Sequence, residues 1–313
     1  MGHIDCDDRG LIMSLPKIYT DENAAREHLE KLLWPEGPLC PHCGNADPAR
    51  FRKLEGKSTR PGVFKCNECR KPFSVTVGTV FERSHIPLHK WVYATHLLTS
   101  SKKGISSHQL MRMLDVTYKT AWFMSHRIRE GMRPKELTPM GGGGMTVEAD
   151  ETFIGRLEGQ TKAQGYAHKN VVLTLVERGG IARSFHIENT SVSQIVPIVR
   201  QNVRRESKLM TDEARQYVNL GKEFDSHGAV RHANREYVRG EVHTNTVEGY
   251  YSIFKRGMKG VYQHCAEKHL HRYLSEFDFR YSNRSKLGIE DAERADRALQ
   301  GITGKRLTYR RVD

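Results

Sequence analysis

Residues 146–154 read Thr-Val-Glu-Ala-Asp-Glu-Thr-Phe-Ile, and their alternation decides what kind of domain surrounds them. Val147 and Ala149 face one way while Glu148, Asp150 and Thr152 face the other, which is the two-residue period of a β-strand. A carboxylate such as Asp150 in the middle of that strand costs desolvation, which a divalent cation offsets. Working outward, residues 145–154, 170–176 and 181–187 are strand-like, 193–203 form an amphipathic helix, 208–211 a short buried strand and 246–258 a helix.

Three strands in meander order, then helix, strand and helix, fit an α/β domain of ribonuclease-H-like class over residues 145–285, with helices layered on a mixed sheet. Residues 134–144 hold two prolines and the run Gly141 to Gly144, and read as a Pro/Gly linker or hinge. Residues 286–313 read as a basic C-terminal tail.

The N-terminal half has a different character. Cys40-x2-Cys43 and Cys66-x2-Cys69 repeat one spacing, which predicts a zinc ribbon over residues 36–82 with one structural Zn2+ per chain held by four thiolates. Phe51, Phe64 and Phe73 supply its small apolar core, and His42 points outward. Cys6 and Cys265 are left unpaired. Within residues 1–35, Asp21 caps an amphipathic helix ended by Trp34-Pro35 and packed on the ribbon. Residues 74–81 alternate as a strand would. Residues 83–133 predict three helices with a sharp turn at 115–117, the outline of a helix-turn-helix that turns Tyr118, Lys119, Thr120 and Arg127 toward a DNA groove. An ordinary three-helix bundle is the alternative.

Lys and Arg number 50 against 37 acids, a net charge of +13. The excess is seven in residues 1–144 and six in 249–313, and the centre between them is neutral. Basic flanks around a neutral centre suit a polyanion held at both ends, and nucleic acid is the usual one. No stretch approaches the ~20 apolar residues of a membrane span, and the start MGHIDCDDRG lacks an apolar signal segment, so a soluble, intracellular chain without a membrane partner is expected.

Two further acids join Asp150. Asp212 follows the short strand, at the end where a loop leaves backbone open for a ligand. Glu248 and Lys255 are seven residues apart on one helix face. Phosphodiester chemistry by two Mg2+ needs carboxylates that bridge and flank the ions, and these three acids meet that need.

The segments CPHCG, FKCNEC and FSVTVGTVFERSHIPLHKW, then VEADETFIG, TDEARQY and HTNTVEGYYSIFKRGMKGVYQH, occur in that order. Together they resemble the zinc-ribbon DDE transposases of bacterial insertion sequences, in particular the ISXO-two-like group, over residues 20–285. The resemblance implies cleavage of phosphodiester bonds at element ends and joining of the 3′-OH to target DNA, with two Mg2+ or Mn2+ per site. It implies Asp150, Asp212 and Glu248 as metal ligands, with Asn245 as an alternative third. Lys255, with Arg256 beside it, is implied to contact the terminal DNA phosphate, and His227 and His243 lie near the same motifs. Its partners would be double-stranded DNA, both terminal repeats and target, and further copies of the chain, in the bacterial cytoplasm with the nucleoid. The competing readings are a non-catalytic zinc-ribbon/helix-turn-helix regulator or an inactive transposase relic, and a nuclease without strand transfer.

Overall fold

The computed structural model describes residues 15–230 and 238–308; Cys6 lies outside them, as does the end of the C-terminal segment. Two compact units divide the chain: residues up to Val75 with Ser84–Tyr93, and Thr76–Arg83 with the residues from Ala94 onward. No helix among the described residues is long and apolar enough to cross a membrane.

In the first unit, α1 (Glu22–Leu33) starts where Asp21 accepts the Ala24 amide at 2.7 Å, and it buries Ala25 and Leu29 completely. Trp34 closes the helix and sets its ring edge-on against Phe64 and Phe73, at 5.9 and 5.8 Å between centroids. These rings belong to an antiparallel ribbon of β1 (Phe51–Lys53), β2 (Phe64–Cys66) and β3 (Pro72–Phe73). The helix α2 (Leu88–Ser100) begins in this unit, where the Glu22 carboxylate accepts the Leu88 amide at 2.6 Å. Residues 74–81 do not form the expected strand. Gly78 takes φ +74°, and Thr79 Oγ1 donates to the Thr76 carbonyl at 2.7 Å while accepting the Phe81 amide at 3.1 Å, so local turn bonds replace a ladder.

The second unit is built on a five-stranded mixed sheet, consistent with the ribonuclease-H-like expectation. Its strands are β4 (Thr146–Ile154), β5 (Asn170–Glu177), β6 (Ala182–Ile187), β7 (Lys208–Asp212) and β8 (Ser226–Val230), in the order β6-β5-β4-β7-β8. The first three are antiparallel neighbours, and β7 and β8 add in parallel beside β4. On one face Val147, Ala149, Leu173 and Leu175 pack against Ile195 and Val199 of α5 (Val192–Asn202) and Tyr217 and Leu220 of α6 (Arg215–Leu220). On the other, Val172 and Val176 meet Val247, Tyr250 and Phe254 of α7 (Asn245–Gly257) and Leu274 and Phe277 of α8 (Leu270–Ser282). At the sheet's edge the β6 amides of Ala182 and Ser184 donate to Ser282 Oγ at 3.1 Å and Asp278 Oδ2 at 2.8 Å on α8.

The helices α3 (Ser107–Leu114) and α4 (Tyr118–Met132) belong to this same unit. Arg129 of α4 and Glu276 of α8 are both sealed from water, with Arg129 Nε donating to Glu276 Oε2 at 2.6 Å. Arg280 and the Tyr262 hydroxyl donate to the other carboxylate oxygen, and the Arg129 guanidinium lies 4.0 Å above the Tyr273 ring. The glycine run, expected as a hinge, is bonded into the unit. Gly141 and Gly142 donate their amides to Glu177 Oε2 and Ser207 Oγ at 2.8 and 2.9 Å, and a Cβ on Gly141 would fall 2.2 Å from Ser207 Oγ. Within the expected basic tail, α9 (Asp291–Gln300) is helical and buries Ala295, Ala298 and Leu299. Removing the shared carboxylate, as in Glu276→Ala, leaves two buried guanidinium groups uncompensated and should lower stability to urea by about 3–5 kcal/mol; a loss under about 1 kcal/mol would mean that the network contributes little.

Candidate metal centres and active site

The ribbon brings its four cysteines together. Each knuckle is a turn closed by backbone bonds, Gly44 N to Cys40 O at 2.9 Å in the first and Cys66 N to Lys71 O at 3.1 Å in the second. Cys40 Sγ lies 3.7 Å from Cys69 Sγ, and Cys43 Sγ 3.7 Å from Cys66 Sγ, with all four sulfurs within 4.8 Å of one another. Four sulfurs at the usual Zn–S length of about 2.3 Å in a tetrahedron stand roughly 3.8 Å apart, so the set has the dimensions of a zinc site. The protonation pattern agrees. Hydrogen bonding from the Cys69 backbone leads in lowering the Cys66 thiol to about 7. Cys43, despite a backbone bond from Asn45 that pulls it down, is pushed up to about 12 by burial and the three neighbouring sulfurs. Negative charge crowded among thiols is what a divalent cation relieves. His42 bonds to the Pro72 carbonyl at 3.2 Å, outside the sulfur set.

The second cluster forms where β7 leaves β4. Their parallel register runs from Thr146↔Lys208 to Glu148↔Met210 and stops, so the edge of β4 beyond Glu148 has no β7 partner. Asp212 stands at the end of β7, and one carboxylate oxygen each from Asp150, Glu151 and Asp212 lie within 4.8 Å of one another. Asp150 Oδ1 accepts the Glu151 amide at 2.8 Å, Asp212 Oδ1 accepts the Ala214 amide at 3.0 Å, and the Tyr217 hydroxyl donates to Glu151 Oε1 at 2.5 Å. Burial, followed by the charges of Glu151 and Asp212, raises the Asp150 carboxyl to about 7; Glu248 adds to the same push. Glu151 also rises to about 7, chiefly through burial. Hard oxygen donors that repel one another at an open strand edge fit a divalent cation such as Mg2+. Alternation alone put Glu151 on the face opposite Asp150; the early end of the β4/β7 pairing, which lets side chains from both faces reach the same edge, has no signature in the spacing.

Glu248 lies outside this three-acid set. It is exposed on the first turn of α7 and accepts from Thr244 Oγ1 at 2.8 Å, yet is near enough for its charge to act on Asp150. Asn245 is exposed at the first residue of α7. The start of that helix is held by Glu148, two residues before Asp150 on the same face of β4. The Glu148 carboxylate is fully buried and accepts the Thr246 and Val247 amides at 2.8 and 2.9 Å, the Thr246 hydroxyl at 2.8 Å and Arg178 Nε at 2.6 Å. His243 Nδ1 approaches the same carboxylate at 3.3 Å, and His227 Nε2 meets Thr211 Oγ1 at 2.9 Å, so both histidines brace elements of the site. Two turns along α7, Lys255 Nζ lies 5.8 Å from the centre of the Tyr251 ring, whose hydroxyl donates to the Asp150 carbonyl at 2.5 Å. Arg256 is exposed, with Nε on the Ser252 carbonyl at 3.0 Å.

Of the residues expected to read DNA, Tyr118 and Lys119 are exposed on the first turn of α4, and the Thr120 amide donates at 3.2 Å to Oγ1 of Thr117, which caps that turn. Arg127 does not face a groove. It is 7% exposed, donates from Nη2 to the Glu82 carbonyl at 2.7 Å and stacks over Phe123, because α4 from Ala121 onward is a core helix.

Comparison with known proteins agrees with this arrangement. Residues 141–282 match the ISXO2-like transposase domain, and residues 20–72 match the transposase zinc-ribbon domain. An uncharacterized protein in transposable element ISH50 of Halobacterium salinarum is 28% identical over 297 residues, covering 88% of this chain and 95% of that protein. A chain of the cryo-EM structure of the simian T-cell lymphotropic virus intasome, in complex with the PP2A regulatory subunit B56 gamma, aligns at a TM-score of 0.28 and 10% identity. That alignment covers 54% of this chain and 63% of the other, and is too distant to carry an argument.

Two outcomes follow from these sites. Metal analysis should return one zinc, and Cys66→Ser should make residues 36–75 protease-sensitive while the second unit stays resistant; a zinc-free protein with an intact ribbon would contradict this. The acid cluster gives a pH signature. An acid raised from 3.8 to about 7 in the folded state holds a proton that the unfolded chain releases, so Mg2+-free stability should fall as pH rises from about 4 to about 7 and level off above that. At pH 8, Asp150→Asn should therefore gain about 1–3 kcal/mol over wild type. Added Mg2+ should stabilise wild type more than the variant, and a wild-type melting temperature that matches the Asp150→Asn variant in its pH dependence from about 5 to about 7 would count against the crowding.

Proposed function

We propose that this chain, which carries an ISXO2-like transposase domain behind a transposase zinc ribbon, cleaves phosphodiester bonds at insertion-sequence ends and joins the freed 3′-OH to target DNA. The observation that carries this reading is the convergence of Asp150, Glu151 and Asp212 at the open edge of β4. A protein that only bound DNA would gain nothing from three acids there, since they repel phosphate. Asp150 and Asp212 would hold two Mg2+ or Mn2+, with Glu151 or Glu248 completing the set and Asn245 as the remaining alternative. When bound, such ions lower the pKa of an attacking water or hydroxyl and neutralise charge on the leaving oxygen.

The protein's own groups supply position. Glu148 fixes the start of α7, and with it the reach of Glu248 and Lys255 toward Asp150. Lys255 offers a cation for the phosphate beside the scissile bond, with Arg256 further out. The partners are double-stranded DNA, both element ends and target, and a second copy of the chain, since two ends must be joined; the setting is the bacterial cytoplasm. The helices α3 and α4 serve as a helix-turn-helix whose reading end is the first turn of α4, with Tyr118, Lys119 and Thr120 toward DNA and Thr117 capping the turn.

Nicking of a labelled duplex carrying an element end tests the proposal. Asp150→Asn and Asp212→Asn should each lower Mg2+-dependent cleavage by at least about 10³-fold while duplex binding survives. Glu151→Gln, Glu248→Gln and Asn245→Ala should separate, with the true third ligand losing activity to a similar degree. Undiminished cleavage in Asp150→Asn would overturn the reading.

A further inference from the structure

Past the acid cluster, β4 runs on to Ile154, and there, with Gly155 after it, it walls a cavity of about 280 Å3. Phe153, Ile154, Met258 and Leu270 give this cavity apolar sides. Asn170, 3% exposed, lines it too: Nδ2 donates to the Ile154 and Arg156 carbonyls at 3.3 Å each, while Oδ1 is buried with no partner. Two lysines, Lys169 and Lys259, stand at the same cavity. Lys169 Nζ lies 4.9 Å from the centre of the Tyr166 ring, which stacks on Phe153 at 4.5 Å.

These lysines lie within electrostatic reach of Lys255, which Asp150 of the acid site also influences. Burial lowers the Lys255 pKa, Asp150 opposes that, and the charges of Lys259 and Lys169 add to the lowering. Three ammonium groups within electrostatic reach of one another cost repulsion, which an anion passing along them removes. A cavity of this size admits one flat ring system and excludes a paired helix. Its apolar walls, its unmet acceptor and the cations beside it match the three parts of a nucleotide in a single strand: base face, base edge and phosphate.

We propose that this cavity seats one unpaired nucleobase of a DNA strand, with Asn170 Oδ1 accepting from the base edge and Lys169 and Lys259 holding the flanking phosphates. The assignment rests on the reading of the acid cluster as a DNA-cleaving site, and places one strand of the cleaved end along Asp150, Lys255 and the cavity in turn.

Photo-crosslinking tests it on the full-length wild-type protein in Mg2+-free buffer. The probe is a single-stranded thymidine 12-mer with one 5-iodouracil, whose ring N3–H can donate to Asn170 Oδ1. Mass spectrometry should map the crosslink to residues 153–155 or 258–265. The double variant Lys169→Ala/Lys259→Ala should bind the same 12-mer about tenfold more weakly, with the slope of log K against log salt reduced by roughly 1.4, whereas Lys222→Ala, in the turn after α6 and not part of the cavity lining, should bind as wild type does. Crosslinks only elsewhere, or unchanged affinity in the double variant, would overturn the proposal. Cleavage of an element-end duplex, run in parallel with Mg2+, keeps the two ideas apart. A cleaving protein without the cavity crosslink loses the base seat alone, and a crosslinked protein that cannot cleave keeps the seat and loses the reading of the acids.

Discussion

A carboxylate taken fully out of water needs other groups to replace its hydration, and Glu148 is surrounded by such groups: two helix amides, a hydroxyl and a guanidinium. The charge sits at the positive end of α7, so the helix and the acid stabilise each other. Because Glu148 is on the same strand and face as Asp150, this clamp fixes the distance from the acid cluster to every residue α7 carries. Arg178 extends it to the hairpin of β9 (Val238–Arg239) and β10 (Val242–His243) through the carbonyls of Glu241 and His243. The clamp spends no acid of the three-acid set, and Asp150, Glu151 and Asp212 remain close together.

Much of this was legible in the residues, and the reasons differ from element to element. The period of two in 146–154 named β4 and its outward Asp150, and the repeated CxxC spacing named the sulfur cluster, because both signals are local. The convergence of Glu151 was not legible, since it depends on where a strand more than fifty residues away stops pairing. Residues 74–81 misled for a related reason. Alternating Ser, Val and Thr suit a strand, but with Gly78 at positive φ the threonine hydroxyls satisfy the backbone as turns.

Arg127 and the glycine run show composition being overruled by tertiary contacts. A basic residue on a helix in a basic region reads as a phosphate contact, yet α4 turns its length inward, and the Glu82 carbonyl needs a donor there. Four consecutive glycines read as slack, yet the close approach of Ser207 requires the missing side chain. In both cases the requirement comes from a neighbour distant in sequence. The helices of residues 107–132, expected as a separate module, are likewise tied through Arg129 to α8.

The outer strand β6 has a further meaning for how copies of the protein can meet. Exposed strand edges recruit other strands, and here Ser282 and Asp278 already occupy the amides that a newcomer would need. Continuation of the sheet from one molecule into the next is therefore closed at this edge. A second copy meeting the protein at β6 would do so through side-chain surfaces and not through a backbone ladder.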